Sequence, residues 1–125
     1  MSDLDELRQN FRKIQESFSR VLPKVDPQLL VDLLIREQKD PNNPPIYTLE
    51  VFMKKGSDPE IIRDIILQRT GTVPSIHDEG THIVANHRVS LDILKLISEY
   101  ENVIEITGDY SGGSASIGAR HEHRH

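Results

Sequence analysis

Three histidines at alternate positions, His121, His123 and His125, are the densest run of metal-capable side chains in the sequence. In extended backbone they project to one side, where neutral imidazoles can chelate Zn²⁺, Ni²⁺ or Cu²⁺. They stand in Arg120-His121-Glu122-His123-Arg124-His125, with no rigid element around them and no evident fourth ligand. A weak metal site therefore competes with a solvated tail or a cloning remnant. The other histidines are His77, His82 and His87. Opposite parity separates His82 from His87 across a strand, so these three do not form one site, and they are expected at the surface.

The carboxylates offer less. Asp78 and Glu79 are neighbours in a turn, where adjacent side chains point apart. Glu99, Glu101, Glu105 and Asp109 make an acidic edge. Acid/base catalysis needs two titrating groups whose environments separate their pKa values, and no pair here has such a partner. Ser57 at a helix start is flanked by Asp58 and Glu60, which repel an anion, so Ser57 or Asp58 reads as a cap. Gly112-Gly113 lacks the Gly-Lys-Ser/Thr of a phosphate-binding loop. Gly113-Ser114-Ala115-Ser116-Ile117-Gly118 misplaces the serine of a nucleophile elbow by one position. No catalytic residues and no cofactor are expected, and the chain is read as a non-enzyme.

Composition agrees. The chain has 125 residues, 36% hydrophobic, with 5% aromatic and no Trp, so its core should be aliphatic. The net charge of −5 divides as −1 over residues 1–45, −5 over 46–110 and +1 over 111–125. An acidic body without exposed strand aromatics argues against nucleic acid. There is no Cys, which removes disulfides and thiolate chemistry. No apolar run approaches the roughly 18 residues of a membrane span, and the start lacks the pattern of a signal peptide. A cytoplasmic chain with no membrane partner is the expectation.

The elements that must position these residues fall into four segments. Residues 1–39 read as a helical hairpin. Leu4, Leu7, Phe11, Ile14, Phe18 and Val21 recur at 3-4-3-4-3 spacing behind a Ser2 cap. Pro23 ends that helix, and Asp26-Pro27 opens a second, carrying Leu29, Leu30, Leu33 and Leu34. The hairpin either packs on its own domain or forms a homodimer through Leu7, Phe11, Ile14 and Phe18. Residues 40–45 are a Pro-rich linker. Residues 46–110 read strand, helix, strand, strand, helix, strand: an α+β, ferredoxin-like βαββαβ antiparallel sheet with its first and third strands central. Ile62, Ile65, Ile66, Leu94 and Ile97 should pack on Leu49, Val51, Ile104 and Ile106. Residues 111–125 read as a flexible, His-containing tail.

The central segment resembles the propeptide-like inhibitors of subtilisin-type serine proteases. The carrying residues are Tyr47-Thr48-Leu49-Glu50-Val51-Phe52-Met53-Lys54-Lys55-Gly56, Gly80 before an apolar strand, and Leu94 to Ile106 with Val103. The resemblance implies a sheet that packs on a protease and a segment after the last strand that enters its cleft. Here that segment is Thr107, Gly108, Asp109, Tyr110 and Ser111. It makes the expected function a protein-interaction module, as a protease inhibitor or chaperone. The alternatives are a regulatory module for a small molecule or metal, or a structural dimerisation unit.

Overall fold

The computed structural model describes residues 2–112. Two helices lead the chain, α1 (Asp3–Val21) and α2 (Pro27–Lys39). They are followed by β1 (Ile46–Met53), α3 (Glu60–Thr70), β2 (Ser75–His77), β3 (His82–Arg88), α4 (Leu91–Ser98) and β4 (Val103–Gly112). The architecture is α+β, with an antiparallel sheet in the order β2-β3-β1-β4. β1 and β3 are its central strands.

Local chemistry sets the helix ends. The Ser2 hydroxyl accepts from the Asp5 amide, and the Asp26 carboxylate from the Gln28 amide ahead of Pro27. Of the two cap candidates, Asp58 accepts from the Glu60 amide at the start of α3. Gly71 stops α3 in the left-handed region, at φ 77°. The turn between β2 and β3 is tighter than its glycine alone suggests: Asp78 and Glu79 also hold positive φ, at 55° and 58°. β2 begins only at Ser75, after Pro74, which donates no ladder hydrogen bond.

Among the described residues, only one sheet face is covered. Tyr47, Leu49, Val51 and Met53 of β1 are buried, and Ile83, Ala85 and His87 of β3 share their side. Leu29, Leu30 and Leu33 of α2, Ile62 and Ile66 of α3, and Ile93, Leu94 and Ile97 of α4 join them in one cluster. All three helices therefore lie on that face. The opposite face carries Thr48, Glu50, His82, Asn86 and Thr107, which are exposed or half-buried.

Most expected core positions are buried; Ile65 is half-buried against the cluster. Ile104 is the correction, at 54% exposed. The pairing shifts where Phe52 meets Glu105 but Met53 meets Val103, which leaves Ile104 as the extra residue of a bulge. Val103 and Ile106 then point inward and Ile104 points out. The boundary at residues 40–45 is also less open than a linker implies. Pro45 is buried and its carbonyl accepts from the Val89 amide at 2.9 Å, while the Pro44 carbonyl accepts from Arg88. Ser111 and Gly112, placed in the tail by composition, end β4.

Candidate protein-docking site

The connection between α1 and α2 is bound into the sheet edge. The Asp26 amide donates to the Ile106 carbonyl at 2.9 Å, and the Ile106 amide to the Lys24 carbonyl at 2.8 Å. Val25 forms a parallel bridge there and is buried, as is Leu22. Lys24 reaches the Tyr100 carbonyl at 3.0 Å. These bonds occupy backbone groups that β4 would otherwise present at its open edge. They also fix the base from which α1 departs.

α2 is clamped to the same face by a polar group. Asp32, the one acid among Leu29, Leu30, Leu33 and Leu34, accepts from the Tyr47 hydroxyl at 2.5 Å and from Arg36 Nε at 2.9 Å. The Arg36 guanidinium lies 3.3 Å from the Tyr110 ring centroid, and the Tyr47 and Tyr110 rings meet edge to face at 5.7 Å. Burial pushes the Asp32 carboxyl up, but the bonds donated by Arg36 and Tyr47 more than reverse this and hold it below its ordinary value. Burial and the bond to Asp32 push the Tyr47 phenol up. This chemistry anchors a helix. It does not prepare an acid, because the carboxyl moves down. The sequence carries the signal for the clamp in the i, i+4 spacing of Asp32 and Arg36 within an apolar face.

α1 is different. None of its residues is buried. Leu7, Phe11 and Ile14, expected at an interface, are 64%, 53% and 47% exposed, while Phe18 packs partly on the core near the base. Leu4 and Val21 are also exposed. Only the C-terminal end of α1 is held, so the expected hairpin is half body and half arm. Between α1 and the outer side of α2 runs a groove of about 630 Å³ whose apolar lining includes Phe11, Phe18, Val31 and Ile35.

The other candidate residues fall elsewhere. Thr107 to Ser111 lie inside β4, not after it: Thr107 pairs with Glu50, Gly108 with Leu49, Asp109 with Thr48 and Tyr110 with Tyr47. They are paired residues of the last strand, not a segment that follows it. Gly108 has a packing reason, since a Cβ there would sit 3.2 Å from Leu49 and 3.4 Å from Leu29. His82 and His87 do occupy opposite faces. His82 Nε2 lies 2.7 Å from Glu50 and Nδ1 lies 3.7 Å from Asp78, with Phe52 stacked on the ring at 4.7 Å and His77 beside it at 5.7 Å. His87, expected at the surface, is only 4% exposed. Its ring shares the covered face with Ile83 and Ala85. Among the described residues, no group of three or more His, Asp or Glu is set to hold a metal ion. His121, His123 and His125 lie outside the described residues. Among the described residues, no helix is long and apolar enough to cross a membrane.

No protein-family model, curated protein or solved structure matches this chain.

Proposed function

We propose that the chain is a non-enzymatic protein-docking module. Its body follows the ferredoxin-like βαββαβ plan and holds α1 out as an amphipathic arm for an apolar helical partner. The plan is supported by the run β1-α3-β2-β3-α4-β4 with β1 and β3 inside the sheet. The docking reading is carried by one observation: α1 bears a complete apolar stripe that stays exposed except at Phe18, which packs partly on the core. An apolar face of this kind is worth roughly 25 cal/mol per Å² once covered, and helix-in-groove recognition uses this i, i+3, i+4, i+7 spacing.

The test is removal of residues 1–16, which leaves Phe18 and Leu22 in place. Compared at a concentration where the full chain is monomeric, the shortened chain should keep its melting temperature; at higher concentration it should lose the full chain's interactions. A fall of more than about 5 °C, roughly 1 kcal/mol for a domain this size, would mean that α1 belongs to the body and would overturn the reading.

One observation favours a second reading, inhibition of a subtilisin-type protease through the sheet. All three packed helices lie on one face, which leaves the other available to dock. The same shortened chain should then still inhibit such a protease.

A further inference from the structure

Charge runs along α1 in two blocks. Asp3, Asp5 and Glu6 outweigh Arg8 in its N-terminal half, and Arg12, Lys13 and Arg20 outweigh Glu16 in its C-terminal half. Each half is the electrostatic complement of the other. Within one helix the halves cannot meet. Between two helices they meet only when the helices run in opposite directions.

We infer that the arm's partner is a second copy of this chain, with the two α1 helices packed antiparallel about a two-fold axis between Arg12 and Lys13. The inference rests on the docking reading of α1 and names its occupant. In this register Leu4 of one copy packs on Val21 of the other, Leu7 on Phe18, and Phe11 on Ile14. Every member of the stripe finds a partner and none is left over. A two-fold contact of this kind is self-complementary, as a homodimer requires. The stripe spans about 26 Å from Leu4 to Val21 at 1.5 Å per residue. A parallel pair would set the acidic turn against its own copy and Arg12-Lys13 against theirs.

The fold prepares the receiving surface. Each α1 leaves its body at a base fixed by Leu22, Val25 and the bonds to Ile106. Antiparallel pairing lays the N-terminal half of one arm beside the base of the other. There the groove between α1 and α2, with Phe18, Val31 and Ile35 in its wall, is open. The arm therefore meets two helices rather than one, and the contact becomes a four-helix packing of both α1–α2 pairs.

The chain has no cysteine, so a disulfide between introduced cysteines is unambiguous. One chain carries Leu4→Cys and another Val21→Cys, each full length. Mixed and oxidised, they should form a cross-linked heterodimer in high yield, and Leu4→Cys alone should not cross-link to itself. Self-linking of Leu4→Cys without the mixed product would overturn the antiparallel arrangement. Sedimentation of the unmodified chain should show a dimer, and Phe11→Glu with Ile14→Glu should weaken it by more than about a hundredfold, as expected for two buried charges. Reversing Asp3, Asp5 and Glu6 to Lys should weaken it only about tenfold, because exposed pairs contribute little each. A full chain that remains monomeric at high micromolar concentration overturns the second-copy inference. The docking reading would survive that result if removal of residues 1–16 left the body's stability unchanged, and would fail with it if the body lost stability.

Discussion

His87 shows what a single buried side chain commits the molecule to. Its Nδ1 lies 2.8 Å from the Arg88 carbonyl, which can only accept, so Nδ1 carries the proton of the neutral ring. Nε2 is then a bare lone pair with no hydrogen-bond partner among the described residues. Adding a second proton places a charge there. Burial therefore holds the imidazole below its ordinary value of 6.5, despite the bond to Arg88. The sign follows from linkage. Above about 6.5 the residue is neutral folded and unfolded, and its stabilising share is complete. As pH falls through that value the unfolded chain takes up the proton first, so stability drops. His87→Leu should flatten the fall in melting temperature between pH 7 and pH 5.5 while His77, His82 and the tail histidines stay the same. Parallel profiles for the two proteins would show that His87 titrates normally. The burial itself was legible: Ile83, Ala85 and His87 share one parity, and the two apolar residues mark the covered side. Reading each histidine alone hid it.

At the scale of elements, punctuation was legible and pairing was not. Ser2, Asp26-Pro27, Gly71 and Ser90 end or begin helices as their chemistry dictates, because a cap is satisfied within a few residues. A bulge is settled between strands distant in sequence. The order Ile104-Glu105-Ile106-Thr107 alternates and invites Ile104 inward, but Met53 pairs with Val103 and Phe52 with Glu105. The shift turns Ile104 outward and keeps Val103 and Ile106 in. Two substitutions separate the registers. Ile104→Thr should change stability by less than about 0.5 kcal/mol, as surface changes do. Ile106→Thr, at a fully buried position, should cost about 2 kcal/mol or more, by lost burial and a buried hydroxyl. Comparable losses at both sites in urea denaturation would place both side chains in the core. The clamp of Asp32, Arg36 and Tyr47 belongs to the same scale. Its i, i+4 half is written within α2, while Tyr47 joins from a strand that only the folded sheet brings near.

For the whole molecule the question is how a body and an arm share one chain. The periodicity of α1 and α2 predicts two amphipathic helices but not which apolar stripe the body takes. α2 wins because its Leu pairs follow Lys24 and Asp26, which the Ile106 backbone ties to the sheet edge. α1 precedes that tie in the chain. From Asp3 to Glu16 its side chains are exposed throughout. A stretch of that length is near the limit of about 12–15 residues at which an isolated helix is marginal in water. Its helicity should therefore depend on what covers the stripe. If two copies pair as proposed, dilution that carries the chain from dimer to monomer should lower the far-ultraviolet helical signal by the share that Asp3–Glu16 contributes. The near-ultraviolet signal of Tyr47 and Tyr110, which reports the clamped body, should stay constant. Phe11→Glu with Ile14→Glu should show the reduced helical signal at every concentration. If the wild-type helical signal is unchanged across that dissociation, α1 is a self-sufficient helix and its folding is not coupled to its partner.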